Sequence, residues 1–495
     1  MGANTTGDNN VAVGSGALDA NTTADNNTAV GGSALGANTT GTENVAVGGL
    51  TLDAQTTASY NTAVGYNAGS ANTSGSQNTF IGRYAGAATT TGADNVSVGS
   101  GNLSSNTTGG SNTAVGKGAL NANTTASYNT GVGRNALLAN TTGERNVALG
   151  YAAMAANTTG NYNIGIGFEA LDANTTASAN TAIGYNAMGV NTTGSLNVAF
   201  GYGALDANTT GHSNNALGYG TLTANTTGNY NIAIGRDTMG VNTTGIQNVA
   251  IGSNALDANT TAANNTAVGN EAMGTNTTGT QNAAFGIAAL ILNTTGSYNT
   301  ALGPYALKVN TTGANNTAIG YQALLNSQSG SNLLALGKDA GITGSPGGNF
   351  VSDSNYVLLG DENITHAYIQ VDWTIASDQR DKTDFTALDL GLDFVKDLKP
   401  VTYKWDKRSK YGDKTADDYD LNAQSPDGTH KEDWLDIGFK AQEVEALEIA
   451  AGYNKSSKTN LTTTLTSDGK QYGIQYNKFV PILVKAIQEQ QTLIE

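Results

Sequence analysis

A glycine recurs at every seventeenth residue over two-thirds of the chain, and this period limits the possible folds more than any other feature. The series runs from Gly14 to Gly337 without an insertion and gives 20 copies in a chain of 495 residues. An Asn opens the phrase N-x-A-x-G in 19 copies, and a second phrase, N-T-T, begins with Asn in 17. Such a strict period indicates coils that each pack mainly on their two neighbours.

Seventeen residues per coil predict a mostly β fold, a parallel β-solenoid. The phrase N-T-A-V-G alternates small or polar residues with apolar ones, which is typical of a strand. Two short strands and two turns fit this length, whereas helical repeats need roughly 33–47 residues per unit. Twenty coils at the strand spacing of about 4.8 Å predict a shaft about 95 Å long.

The repeat also predicts which side chains fill the coil. We expect the strand valines, Val13, Val30, Val47 and Val64, to stack into an apolar column inside. Leu18 and its equivalents are expected to form a second internal column. The fixed glycine supplies the positive φ of a corner. The fixed Asn tolerates the left-handed conformation and can align its amides along the shaft.

Composition excludes several classes of function. The chain has no Cys, which excludes disulfides, thiolate chemistry and cysteine metal sites, and we expect no metal and no cofactor. The formal net charge of −16 argues against nucleic acid or an anionic membrane as a partner. The content of 64 Gly with only 13% charged residues would suit disorder, but the strict period argues against it.

The sequence gives no sign of a membrane or secretion segment. No apolar run of 18 residues is present, so we expect no helix inserted in a membrane. The N-terminal MGANTTGDNN lacks the basic and apolar regions of a secretion signal. Residues 1–10 already follow the repeat, so we expect no separate N-terminal anchor.

Tyrosines recur at two places in the coil, one after the glycine and one before the Asn. As an exposed aromatic ladder they could stack on sugar rings, with Tyr185, Tyr202 and Tyr219 as candidate glycan contacts. The alternative is that each ring packs on the coil above, because aromatic side chains commonly serve packing.

The shaft shows no catalytic constellation. His212 is its one histidine, and Asp19, Asp53 and Asp206 share one repeat position that indicates a solvated face. Glycoside hydrolysis requires two carboxylates that flank one bond, and no such pair stands out. We therefore expect no enzymatic activity in the shaft.

The period breaks after Gly337, and a small α+β domain ending in a coiled-coil helix is predicted beyond it. We predict three segments: a shaft over 1–340, a linker with a short β segment over 341–376, and the α+β domain over 377–495. Within the linker, 341–348 indicates a Gly/Pro/Ser turn.

Local patterns predict the elements of the C-terminal quarter. Strands are predicted over 356–360, 367–373 and 401–405, and a short amphipathic helix over 388–398. A longer helix is predicted over 477–494. Its stripe at a/d-like spacing suits self-association into a coiled coil and comprises Phe479, Ile482, Leu483, Ala486, Ile487 and Gln490.

Four motifs follow one another in this quarter: 376–382 (ASDQRDK), 388–405, 436–444 and 472–491. Their order resembles the endosialidase-type C-terminal intramolecular chaperone of phage tail fibres and spikes, over residues 377–495. The resemblance implies a domain that trimerises, aligns three fibre chains and then cuts itself off. The family's cut falls just before the serine of an S-D-x-R-x-K motif.

On this sequence the resemblance implies cleavage between Ala376 and Ser377, with Ser377 as the nucleophile and Lys382 as its base. Asp378 and Arg380 are expected to orient the loop rather than to react.

One position, Asp381, departs from the family's pattern, in which an apolar residue is common. An acid beside Lys382 would hold the lysine protonated and slow the cleavage.

The chemistry of a serine–lysine pair is reasonable in itself. A serine hydroxyl becomes a good nucleophile only when a base takes its proton. A lysine can be that base when it is desolvated, since burial lowers the pKa of a lysine from about 10.4. Burial in a trimer interface would supply the desolvation, so cleavage would follow assembly. The alternative is that Ser377-Asp378 caps a turn and Lys382 pairs with Asp381 or Asp384.

The repeats suggest a second resemblance. N-T-A-V-G and N-T-A-I-G over about 1–340 are similar to the head repeats of trimeric autotransporter adhesins, which are trimeric parallel β-rolls with a shorter unit. Identical coils can pair out of register by 17 residues at little energetic penalty, and long parallel pairing is slow and prone to aggregation. A C-terminal clamp that aligns three chains would remove most wrong registers.

Together these features predict a homotrimeric tail fibre or spike subunit of a phage, made in the host cytoplasm and located in the virion tail. Its expected partners are a glycan or protein receptor on the host surface and other tail proteins. The alternative is a bacterial surface adhesin or extracellular fibre that carries the same chaperone and lies at the cell surface.

Overall fold

A computed structural model describes residues 2–370, 375–413, 418–454, 456, 459, 461–466 and 468–495. The chain forms two compact units, Met1–Tyr298 and Asn299–Glu495, and each is described by itself.

In the first unit, each coil contributes one strand of three residues, and neighbouring strands pair in parallel with an offset of 17 residues. The strands are β1 Val11–Val13, β2 Thr28–Val30, β3 Val45–Val47, β4 Thr62–Val64, β5 Thr79–Ile81, β6 Val96–Val98, β7 Thr113–Val115, β8 Thr130–Val132, β9 Val147–Leu149, β10 Ile164–Ile166, β11 Thr181–Ile183, β12 Val198–Phe200, β13 Asn215–Leu217, β14 Ile232–Ile234, β15 Val249–Ile251, β16 Thr266–Val268 and β17 Ala283–Phe285. The predicted parallel β-solenoid is confirmed, with about 19 turns of 17 residues over the whole repeat.

The prediction of two strands per coil is wrong, because the rest of each coil satisfies its backbone through turns. The amide of Thr158 donates to the carbonyl of Thr175 in the next coil at 2.9 Å, and the amide of Leu171 donates to that of Ala187 at 3.0 Å. The polar backbone groups therefore find partners one coil away without a second strand, as buried backbone requires.

The predicted valine column lies on the opposite face from the one expected. Val13 is 58% exposed and Val47 36%, whereas the middle strand residues Ala29 and Ala46 are fully buried. Alternate strand residues point to opposite faces, and the small alanine is the one that faces the narrow interior. The predicted leucine column is confirmed, since Leu18 is fully buried.

Two columns of buried Asn hold successive coils together. In the phrase N-x-A-x-G, the Asn146 side chain accepts from the Asn163 amide at 2.9 Å and donates to the Gly160 carbonyl at 2.8 Å. In the N-T-T phrase, Asn157 donates to Asn140 at 2.8 Å. The predicted amide ladder is therefore present.

The left-handed conformation does not belong to the ladder Asn. It falls on the residue before that Asn, as at Tyr162 with φ +59°, and on the buried leucines, as at Leu171 with φ +54°. The ladder Asn uses its side chain to bond the next coil, and the corner is made by its neighbours.

The corner glycine behaves as predicted. From Gly14 to Gly286 its φ lies between +120° and +144°, a region that residues with a Cβ rarely adopt. A Cβ on Gly150 would also lie 2.2 Å from the carbonyl oxygen of Gly167 in the next coil. Close stacking of the coils therefore requires glycine here.

The second unit contains four strands of the solenoid type: β18 Thr300–Leu302, β19 Thr317–Ile319, β20 Leu334–Leu336 and β21 Val357–Leu359. β21 pairs with β20 in parallel, with Leu334 opposite Val357. The offset is here 23 residues, because turns over residues 341–348 are inserted into this coil. The predicted strand over 356–360 is present as β21. Residues 367–370 form no strand, and residues 371–373 lie outside the described residues.

The remaining elements of the second unit form a small α+β domain: α1 Leu392–Asp397, β22 Val401–Tyr403, β23 Asp436–Gly438, α2 Ala441–Ala450, β24 Thr463–Leu465, β25 Tyr472–Ile474 and α3 Phe479–Ile494. β22 pairs with β23 and β24 with β25, both antiparallel. The core combines α1, α2 and α3 and consists of Leu390, Phe394, Val444, Phe479 and Ile482. No described helix has both the length and the apolar character to cross a bilayer.

The predicted stripe of α3 is divided between two faces. Phe479, Ile482 and Ala486 are buried in the domain core, whereas Leu483 and Ile487 are exposed. Because the core uses half of the stripe, only the exposed half is free to contact another chain, and the coiled coil stays a prediction.

A fully buried carboxylate ties α2 to the β24–β25 hairpin. Glu448 accepts from the amides of Leu461 at 3.1 Å and Thr462 at 2.5 Å, and from the hydroxyls of Thr462 and Thr463. Hydrogen bonds of this kind compensate the desolvation of a buried acid.

Glu448→Gln should open this hairpin. The glutamine NH₂ group is a donor and would face amides and hydroxyls that are donors too. Leaving these buried donors unsatisfied should lower the stability of the hairpin by about 2–4 kcal/mol. Hydrogen exchange at Leu461 and Thr462 should accelerate by about 10–10³-fold, since 1.4 kcal/mol corresponds to a factor of ten. Glu443→Gln, which changes an exposed carboxylate on the same helix, is the matched control. Equal protection of the hairpin in both variants would contradict the anchoring role.

Candidate active site

Ser377 and Lys382 lie on either side of a single 3₁₀ turn, Gln379–Asp381. Asp378 caps the turn by accepting from the amide of Arg380 at 2.9 Å. The amide of Lys382 donates to the carbonyl of Gln379 at 3.2 Å. The turn folds the chain back so that residues five apart in sequence face each other.

The serine and lysine side chains meet across this turn. Lys382 Nζ lies 2.5 Å from Ser377 Oγ, within the reach that proton transfer between a nucleophile and its base requires. The turn thus brings together the two residues to which the resemblance assigns the reaction.

Asp378 and Arg380 stabilise the turn. Arg380 Nε lies 3.1 Å from both oxygens of Asp378, and Nη2 lies 2.5 Å from Oδ2. The hydrogen bonds from Arg380 hold the pKa of the Asp378 carboxyl below its usual value. The fork geometry suits a carboxylate, so this pair holds the turn. Its orienting role in a reaction stays a prediction.

The alternative pairing of the lysine is not what the structure shows. Among the described residues, Lys382 makes no ion pair with Asp381 or Asp384, and its ammonium group lies on Ser377 instead. Ser377-Asp378 does begin a capped turn, so the cap and the serine–lysine contact exist together.

Ser377 and Lys382 are exposed to solvent in the single chain, and so is Ala376. The desolvation that would make the lysine a base is therefore absent from the isolated subunit.

The α+β domain also contacts the last coils of the second unit through polar groups. Lys407 Nζ donates to the carbonyl of Glu362 at 2.8 Å, and Lys410 contacts the Asn363 side chain. The amide of Asn349 lies 3.5 Å from Asp468. These contacts join the domain to the repeat independently of the covalent bond at residue 376.

Four of the tyrosines that follow the glycine form a stack with Phe168. The rings of Tyr151, Phe168, Tyr185, Tyr202 and Tyr219 follow one another with centroids 5.0–5.3 Å apart and interplanar angles of 6–15°. Packing on the neighbouring coil, one of the two alternatives, is thus present. Ring faces are turned to each other, so a glycan would meet ring edges and hydroxyls, and the glycan contacts stay a prediction. Phe168 completes the stack and was missed by counting tyrosines alone.

The acidic repeat position is less solvated than predicted. Asp19 is exposed, but Asp53 and Asp206 are partly buried, and desolvation raises the pKa of both carboxyls. His212 packs edge-on against Tyr230, with ring centroids 4.9 Å apart. No group of three metal-ligating side chains occurs in the described part of the chain.

A β-solenoid followed by a small α+β domain with a serine–lysine pair at its start fits a fibre-like protein with a C-terminal assembly domain. Residues 377–453 match the family model described as chaperone of endosialidase. The resemblance predicted for the C-terminal domain is thereby confirmed over this stretch. Comparison with curated proteins gave no match, and neither did comparison with solved structures. The similarity of the repeats to trimeric adhesin heads stays a prediction.

Proposed function

We propose that this chain is a structural subunit of a phage tail fibre or spike, assembled as a homotrimer, which attaches the particle to a host surface. Its C-terminal domain would align the three chains and then detach by cutting the chain before Ser377. The observation that carries this proposal is the contact of Lys382 Nζ with Ser377 Oγ at the first residue of the chaperone match.

The cleavage can be written with the groups present. Ser377 Oγ attacks the carbonyl carbon of Ala376, while Lys382 takes the hydroxyl proton and passes it to the leaving amine. The peptide bond is exchanged for an ester between Ala376 and the serine oxygen. One water molecule then hydrolyses the ester, which leaves a carboxylate on Ala376 and a free amino group on Ser377.

Assembly would switch this reaction on. Burial of Lys382 against neighbouring subunits would disfavour its charge and so make the side chain a better base. The exposure of Ser377 and Lys382 in the single chain supports this order of events. A misassembled chain would then keep its chaperone.

Mass spectrometry of purified phage particles and of bacterial envelopes tests the role. We expect particles to contain peptides from residues 1–376 and to lack those from 377–495. Shaft peptides found only in the cell envelope would overturn the phage assignment in favour of the bacterial surface fibre.

A further inference from the structure

We propose that the outward face of the strands, defined by the third residue of β1 to β17, is the surface through which copies of this chain pair, parallel and in register. This inference rests on the proposed function, because it names the surface that the homotrimer would use.

The face is an unbroken apolar row. Its seventeen positions hold Val, Ile, Leu or Phe in every coil. Several of these side chains are well exposed in the single chain, among them Val13 at 58%, Phe200 at 50% and Ile251 at 37%. The first strand position, on the same face, holds mainly Thr, Val or Ile.

Charge is excluded from this face and placed elsewhere. No strand from β1 to β17 contains Asp, Glu, Lys or Arg. The corner positions carry charged residues, such as Arg83, Lys117 and Glu169. A face that remained in water would have no reason to avoid charge, whereas the centre of an interface is depleted of it.

The parallel arrangement of the strands also indicates that this face is buried in the assembled protein. Parallel sheets occur almost only where both faces are buried, and here the coil interior covers one face only. Seventeen strands of three residues present roughly 80 Å by 10 Å, or about 800 Å². That area matches the roughly 800 Å² per partner of a stable interface and exceeds the usual 300–600 Å² patch of a monomer.

A second copy of the chain is the occupant that fits. Only another solenoid with the same spacing of about 4.8 Å between coils can place an apolar side chain opposite each of the seventeen positions. A globular partner would cover a few coils and leave the rest exposed. The uniformity of the row also means that it cannot define register by itself, which is the task assigned above to the chaperone.

Cross-linking through a single introduced thiol tests the surface. The chain has no Cys, so Ile251→Cys supplies its sole thiol, and Gln247→Cys, at an exposed corner of the same coil, is the matched control. With mild oxidation or a short bis-maleimide, Ile251→Cys should cross-link at least about tenfold more than Gln247→Cys, because only opposed Cβ atoms can be bridged. Chains with Ile183→Cys mixed with Ile251→Cys chains should yield no mixed product.

The outcomes separate the inference from the proposed function. If the wild type sediments as a multimer but Ile251→Cys fails to cross-link, the surface is wrong and the fibre role survives. Frequent mixed products would overturn pairing in register. A monomeric wild type would overturn both this surface and the homotrimer, while self-cleavage would be judged by its own products.

Discussion

Lys382→Met should slow release of the C-terminal fragment by about 10²–10⁴-fold, because that is the usual contribution of a general base. Methionine is unbranched like lysine and one atom shorter, and it lacks the amino group that contacts Ser377 Oγ. The rate can be followed on denaturing gels after synthesis is stopped.

Lys396→Met provides the control for this change. Lys396 is also exposed, and its ion pair with Asp393 lies on α1, away from the serine. The control should cleave at the wild-type rate. If Lys382→Met also cleaves at that rate, the lysine is not the base, and the contact seen in the structure has only a structural role.

Asn146→Ala should destabilise the shaft locally by about 2–4 kcal/mol, since it leaves the buried Asn163 amide without a partner and removes two further hydrogen bonds. The Asn163 amide loses its bond to the Asn146 side chain. The Gly160 carbonyl and Asn129 Oδ1 also lose a bond from that side chain, but each keeps another, from the Asn157 side chain and from the Asn146 amide respectively. Asn163 is fully buried between stacked coils, so water cannot replace the partner that its amide loses.

Hydrogen exchange at the Asn163 amide is the appropriate measurement, because a long repeat array need not unfold in a single transition. We expect exchange to accelerate by about 10–10³-fold, from tenfold per 1.4 kcal/mol. Asn270→Ala removes the same side chain from an exposed position and should change exchange little. Similar effects from both variants would mean that the ladder contributes no more than a surface amide.

The fold of the repeat was predictable because one period repeats across 20 copies. The prediction was wrong about the direction of the strand side chains, because two arrangements satisfy the same sequence pattern. Alternation in N-T-A-V-G predicts a strand, but either the alanine or the valine set can face inward. Packing decides, because the interior between successive coils has room for alanine. The inserted turns at 341–348 interrupt the period, so the coil that contains β21 was not recognised as part of the solenoid.

The candidate site was predicted through resemblance rather than through chemistry. Serine and lysine five residues apart are common, and only the structure brings their side chains together around a capped turn. The buried Glu448 had no signal in the sequence, because its partners lie in a hairpin 13 or more residues away. Long-range polar contacts of this kind follow from the completed fold.

Intact mass and N-terminal sequencing of the purified wild type beside Ser377→Ala test the central claim most directly. We expect the wild type to separate into residues 1–376 and a fragment that begins at Ser377, while Ser377→Ala stays whole. A wild type that remains uncut after it has assembled, or a Ser377→Ala chain cut at the same bond, would contradict it.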